Sequence, residues 1–379
     1  MKIAIIGPAH PLRGGLATYN ARLGRQLQDM GHTVVLYSFS LQYPNFLFPG
    51  KTQFTDEPAP PGLDIRTVIN SVNPLNWLAV GNAMKKEQFD LVIVRYWLPF
   101  MGPALGTILR RARSNKRTRV LCIADNIIPH EKRPGDKQFT QYFVKAVDGF
   151  LTMSKDVLRD LAQFSNKPAF FAPHPVYDTY GAGVDRSQAL GHLKLDPAKR
   201  YMLFFGFIRD YKGLDILLQA MSQHAAKETG AELIVAGEYY DKELAARCAE
   251  IISTQALKEK VHLFTDYIPD SEIKYFFSAA DVVVQPYKHA TQSGITLVAY
   301  QFEKPVIVTN VGGLAEVVPD GQVGYIAEPD ANGIAGAIQK FYTLPIDGIE
   351  ANLRREKNKY SWDTFAINLL NFVRDNLSS

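Results

Sequence analysis

Short runs of aliphatic and β-branched residues alternate with stretches of helical spacing along nearly the whole chain, and this alternation limits the fold more than any other feature. The run Lys2–Ile6 stops at Gly7-Pro8; beyond Gly14-Gly15, the residues Leu16, Tyr19, Leu23, Leu27 and Met30 recur at helical spacing, and Gly31 ends the helix before residues 33–37 begin the next run. Residues 65–69, 91–94, 120–123 and 150–153 continue the series. Strands buried on both faces read as continuous apolar runs, and strands separated by helices pair in parallel through right-handed crossovers. The expected class is α/β.

The rhythm breaks twice. Residues 42–62, rich in Pro and aromatics, are expected as a long loop, and 173–200 hold Pro173, Pro175, Gly181, Gly183 and Pro197 with little periodicity. Alternation then restarts with Tyr201–Phe205, Glu232–Ala236, Val261–Phe264, Val282–Gln285 and Val306–Thr309, and Trp362, Phe365, Leu369 and Phe372 mark a last amphipathic helix. Two doubly wound units in tandem follow, over 1–175 and 201–360 with a linker at 176–200; a chain of 379 residues is long enough for two cores.

A net charge of +4 spread along the chain gives no footprint for nucleic acid. Cys122 and Cys248, each inside an apolar pattern, read as core residues of a reducing compartment and not as a disulfide or zinc pair. The first apolar run is too short for a secretory signal, and no stretch approaches the roughly 18 apolar residues of a spanning helix. A cytoplasmic protein is expected. There is no G-x-G-x-x-G after the first strand, no G-x-x-x-x-G-K-[ST] and no G-x-S-x-G, which argues against nicotinamide dehydrogenases, P-loop ATPases and the commonest serine hydrolases of this class.

Ligands of open α/β sheets sit outside the carboxyl ends of the strands. Four post-strand loops hold the candidates. In Gly206-Phe207-Ile208-Arg209-Asp210-Tyr211-Lys212-Gly213, Arg209 and Lys212 stand before a helix, where a planar fork, a point charge and free backbone N–H groups suit a diphosphate; a solvated turn with two surface cations reads the same way. Ser293-Gly294-Ile295-Thr296 opens another helix and offers backbone donors, or simply an N-cap. Gly14-Gly15 permits close approach of a ligand to the backbone, or serves a tight turn. Asp125, His130 and Glu131 make a polar cluster suited to substrate hydroxyls, although a lone loop histidine is more often just a surface residue. No His or Cys repeat has metal-ligand spacing, so no metal is expected.

Together these segments resemble a family 4 glycosyltransferase with the GT-B fold. The resemblance runs nearly end to end, through Phe205-Gly206 to Lys212-Gly213-Leu214-Asp215, Leu233 to Gly237-Glu238, Asp281 to Pro286, Lys304-Pro305-Val306-Ile307 and Gly312-Gly313-Leu314-Ala315-Glu316-Val317, with Gly14-Gly15 and Gly31-His32-Thr33-Val34 in the first half. It implies two Rossmann-like domains facing a cleft and a final helix, 361–379, packed back on the first. It also implies retaining, metal-independent transfer from a nucleotide-diphosphate sugar, a co-substrate needing no further cofactor, to a glycan, lipid-linked or small-molecule acceptor. By the same resemblance Arg209 and Lys212 stabilise the departing diphosphate, Glu238 flanks the nucleotide, the backbone at Tyr267 and Ile268 faces the base, and His130 or Asp125 holds the sugar or acceptor.

The chain departs from the family where two donor-loop glutamates are usual: those positions fall on Thr291 and Ala299. Asp125 also stands where the family often has His. The departures keep open a sugar-nucleotide binding protein without transfer activity, and a GT-B sugar-nucleotide epimerase is a third reading. Arg110, Arg111, Arg113, Lys116, Arg117 and Arg119, with the loop at 43–48, suggest peripheral contact with an anionic membrane, or a solvated helix end.

Overall fold

The computed structural model describes residues 1–44, 53–55, 58–129, 133–176, 178–290 and 293–377. The chain forms two compact units, Met1–His174 with Trp362–Ser379, and Pro175–Ser361.

In the first unit the elements run β1 (Lys2–Ile6), α1 (Gly15–Asp29), β2 (Thr33–Leu41), β3 (Asp64–Asn70), α2 (Pro74–Glu87), β4 (Leu91–Tyr96), α3 (Gly102–Ala112), β5 (Arg119–Ala124), α4 (Asp136–Val144), β6 (Gly149–Thr152), α5 (Lys155–Leu161) and β7 (Ala169–Phe171). The strands make one parallel sheet in the order β3-β2-β1-β4-β5-β6-β7. Every residue of β4 is buried, as a central strand covered on both faces requires.

The second unit runs α6 (Arg186–Leu193), β8 (Tyr201–Phe205), α7 (Leu214–Ser222), α8 (His224–Lys227), β9 (Glu232–Ala236), α9 (Lys242–Thr254), β10 (Val261–Phe264), α10 (Asp270–Ala279), β11 (Val282–Gln285), α11 (Gly294–Gln301), β12 (Val306–Thr309), β13 (Gly324–Ala327), α12 (Ala331–Thr343) and α13 (Ile349–Lys359). Its parallel sheet has the order β10-β9-β8-β11-β12-β13. Helix α14 (Trp362–Leu377) belongs to the first unit, where Trp362, Phe365, Ala366, Leu369, Val373 and Leu377 are buried in one core cluster with Ile3 and Ile5.

The segment expected as a linker is in fact structured. Helix α6 lies within it and buries Ala189, Leu190 and Leu193 in the second unit's core, while the His192 ring stacks on Tyr275 at 3.9 Å. Eight residues flanked by Gly and Pro are too few to show a period, so only tertiary burial reveals the helix. Strands β7 and β13, three and four residues long, also escape a reading by apolar runs. The 42–62 loop is described only in part; there Leu12 bridges Phe54, and Tyr43 stacks on Phe100 and accepts a hydrogen bond from Trp97.

Candidate functional site

In the second unit the strand order reverses between β8 and β11, the switch point at which open α/β sheets place their ligands. The loops after these two strands are in direct contact. A Cβ on Gly213, whose φ is +69°, would stand 1.9 Å from the Pro286 carbonyl oxygen, so only glycine lets the chain pass there. The Lys288 amide donates to the Tyr211 carbonyl at 2.7 Å, which ties the loops a second time.

Lys212 ends the 3-10 turn Asp210–Lys212 and is only 9% exposed. Its Nζ lies 3.1 Å from the point where a Cβ on Gly206 would stand; Ile295 Cδ1, from the start of α11, lies 3.6 Å from the same point. The β8 loop and the α11 terminus therefore converge on one ammonium. That ammonium sits 5.8 Å from the centre of the Tyr287 ring. No carboxylate among the described residues pairs with it. The nearby acids Asp210 and Asp215 are held instead by Lys288, at 3.1 and 2.9 Å, and by Arg247. Burial first, and the charge of Arg209 second, bring the Lys212 ammonium down to about 8. Arg209 is exposed, with its guanidinium 4.4 Å from the centre of the Tyr240 ring. Neither cation has a carboxylate partner among the described residues, and the charge of one bears on the other, an arrangement that a bound anion would relieve.

Helix α11 adds backbone donors. Ser293 caps it, its Oγ accepting from the Ile295 amide at 3.2 Å and lying 3.3 Å from the Tyr287 hydroxyl. The cap engages the Ile295 N–H, so the donors the helix start still offers are those of Gly294 and Thr296. The Thr296 side chain is fully buried and exchanges hydrogen bonds with the Gln285 amide at 3.0 and 3.2 Å, so its hydroxyl serves the core and only its backbone is available to a ligand. Thr291, like Gln292, lies outside the described residues. Ala299 is fully buried in the second unit's core.

The remaining candidates of this unit lie along the same carboxyl edge. Glu238 follows β9, half-buried, and its carbonyl accepts from the Ile208 amide at 2.8 Å, extending the pairing of the two loops past the sheet. Tyr267 follows the edge strand β10 and is 70% exposed, while Ile268 packs against the core. Strand β10 is two positions from β8, which at about 4.8 Å per strand is roughly 10 Å.

The first unit has its own switch point, between β1 and β4. Gly14, with φ +106°, precedes α1, and a Cβ on Gly14 or Gly15 would meet nothing within 4 Å, so the loop is open and the backbone alone asks for glycine at 14. Asp125, expected beside substrate hydroxyls, is ion-paired within its own unit. Both of its oxygens accept from Arg95, at 2.7 and 2.6 Å. Arg95 is 3% exposed and its guanidinium lies 4.0 Å from the centre of the Tyr19 ring. In the sequence Arg95 is masked by the apolar run of β4 that it extends. Its signal is that very setting: a charge in a buried strand requires a partner. His130 and Glu131 lie outside the described residues; the loop leading to them borders a pocket of about 290 Å³ lined by Ile127, Ile128, Arg133, Lys137, Thr140 and Phe164, among others. Among the described residues no three His, Cys, Asp or Glu side chains gather to hold a metal ion, and no helix is long and apolar enough to cross a membrane.

Residues 13–176 match the family described as Glycosyltransferase Family 4, and residues 199–343 match that described as Glycosyl transferases group 1. The chain belongs to the family 4 glycosyltransferases.

Among relatives of this glycosyltransferase, a D-inositol 3-phosphate glycosyltransferase of Rhodococcus jostii is 25% identical over 76% of the chain and 66% of its own length. The chain thus spans about two-thirds of that relative. An uncharacterized glycosyltransferase of Methanocaldococcus jannaschii is also 25% identical, over 99% of the chain and 98% of its own length. Among solved structures, a glycosyltransferase from Rickettsia africae superposes with a TM-score of 0.71 at 17% identity, covering 100% of this chain and 99% of that one. The Anabaena protein HepE in complex with UDP superposes with a TM-score of 0.68 at 15% identity, covering 99% and 100%. These neighbours share the GT-B fold of two Rossmann-like domains.

Proposed function

We propose that this glycosyltransferase moves a sugar, with retention of configuration, from a nucleotide-diphosphate donor to a glycan, lipid-linked or small-molecule acceptor. One observation carries the reading: a buried lysine ammonium without a carboxylate partner stands at the switch point of the second unit, beside a glycine and a helix start. When the bond from the anomeric carbon to the phosphate oxygen breaks, the electron pair leaves with the diphosphate, and negative charge grows on its oxygens. Lys212, Arg209 and the Gly294 and Thr296 N–H groups would meet that charge from fixed positions in a partly desolvated site, where such interactions are strongest. The exposed Tyr267 segment, roughly 10 Å along the sheet edge, would take the nucleoside. UDP bound to the HepE neighbour supports a nucleotide donor of this kind.

A second reading, binding without transfer, is favoured by Thr291 and Ala299, which stand where the family carries its two donor-loop glutamates. Thermal shift with UDP, GDP, ADP and their sugars identifies the base, and product formation against acceptor panels separates transfer from binding. Lys212→Ala is expected to lower turnover a few hundred-fold, as removal of one oxyanion-stabilising donor does. Unchanged turnover removes Lys212 from the reaction, and an inverted anomeric product by NMR removes retention.

A further inference from the structure

Helix α2 of the first unit breaks the pattern of a surface helix. Its inner side sets Val80 and Met84 into the core, and at Gly81 it backs onto α3, where a Cβ would lie 2.6 Å from the Arg111 Cβ. The outer side of such a helix is ordinarily polar. Here Leu75 is 78% exposed and Leu78 40%, with Val72 just before the helix at 45% and Val68 of the edge strand β3 at 40%. The Asn76 side-chain amide donates to the Val68 carbonyl at 2.9 Å, which ties the edge strand to the first turn of the helix; Leu75 and Leu78, three positions apart, lie on one helical face.

The far end of the same stripe is cationic. Lys85 and Lys86 are exposed, and Arg111 of α3 is brought to the stripe by its Nε donating to Asn82 at 3.1 Å. The acids in reach are committed elsewhere: Glu87 to Lys2 and Arg66, Asp90 to Arg117, Asp64 to Arg66. From Leu75 to Lys86 the stripe is roughly 16 Å long at about 1.5 Å per residue. This places the basic face differently from the cluster read in the sequence, where Arg113 is held by Asp148, Arg117 by Asp90, and Arg110 lies over the Tyr142 ring.

We propose that the α2 face docks on an anionic lipid bilayer, with Val72, Leu75 and Leu78 entering the boundary between headgroups and acyl chains and Lys85, Lys86 and Arg111 lying on lipid phosphates. The charge argues for lipid over a second copy of the chain, since two copies would bring like cations together across the contact. An apolar tip joined to a cationic patch is what interfacial binding uses, because either alone is weak. The inference rests on the first unit alone and is independent of the donor site.

The test is co-sedimentation of the full chain with vesicles of phosphatidylcholine and with vesicles of equal parts phosphatidylcholine and phosphatidylglycerol. The protein is expected on the mixed vesicles, with binding that weakens as salt is raised. K85Q/K86Q should weaken partition roughly 30-fold, from about fivefold per cation near a charged surface, and L75S/L78S should weaken it on both vesicle types. Both variants change exposed side chains, so melting temperature and nucleoside-diphosphate binding should stay at parent values. If L75S/L78S melts lower, K85Q/K86Q carries the test alone. No binding to mixed vesicles at low salt, or binding that K85Q/K86Q leaves unchanged, overturns the proposal. So does self-association in sedimentation velocity that disappears in L75S/L78S, which assigns the face to a second copy.

Discussion

The Nζ of Lys212 lies 3.1 Å from the place where Gly206 would carry a Cβ, so the bare backbone of one residue makes room for the charge of the other. Gly206 also has φ +94°, a conformation that costs an L side chain about 1–2 kcal/mol. Gly206→Ala is therefore expected to displace the ammonium and weaken nucleoside-diphosphate binding about tenfold, equivalent to about 1.4 kcal/mol. Isothermal titration with UDP, GDP and ADP reads this directly. An unchanged Kd shows that the ammonium does not meet the phosphates.

Lys212 destabilises the empty protein. With its ammonium at about 8 in the folded state, against an ordinary value of 10.5, the folded chain binds fewer protons than the unfolded chain between those values. Stability therefore rises with pH across that window, and the full penalty, about 3 kcal/mol at 1.36 kcal/mol per pKa unit, applies below it. Lys212→Met should raise the melting temperature at pH 7 and flatten the rise between pH 8 and 10.5, while weakening nucleotide binding to a level still measurable by titration. Calorimetry across pH on both proteins checks it, and a lower melting temperature in the variant contradicts it.

Nucleotide affinity has its own pH dependence. Diphosphate binding favours the protonated ammonium, so affinity should hold below pH 8 and fall above it as Lys212 loses its proton. The same titration on Arg209→Gln keeps the fall, whereas on Lys212→Met the fall disappears. A profile identical in parent and Lys212→Met assigns the pH effect elsewhere.

Arg95 and Asp125 form a nearly buried pair in the first unit, and removing one partner leaves the other's charge uncompensated. Arg95→Met is expected to cost about 3 kcal/mol, the lower end for broken buried pairs because Asp125 keeps 15% exposure. Trp77, Trp97 and Trp362 all lie in this unit, so a guanidinium melt followed by tryptophan fluorescence reports on it alone. A shift below about 0.5 kcal/mol, the scale of ordinary surface substitutions, would show that the pair does not hold the unit together.

Helix α14 anchors the chain's end in the same unit. Leu369 is fully buried there, so Leu369→Ala should lower the stability seen by tryptophan fluorescence by about 2–5 kcal/mol. Calorimetry should show the loss in the first unit's transition. Equal loss in both units would mean that they unfold together.

The sequence by itself determined two α/β units, most of the strands, and the loops in which ligand chemistry had to be sought, because buried parallel strands and amphipathic helices write their periods directly into the order of residues. It also placed Lys212, Gly206 and Gly294 in post-strand loops. It could not show that α6 is a helix, since the core contacts that bury Ala189 and Leu190 come from residues far along the chain. Nor could it show that Asp125 belongs to Arg95, that Thr296 turns its hydroxyl to Gln285, or that the cations beside α3 divide into paired ones and those facing outward with Leu75. Those outcomes depend on distances between residues eleven to thirty or more positions apart, and a linear pattern carries periodicity but not proximity.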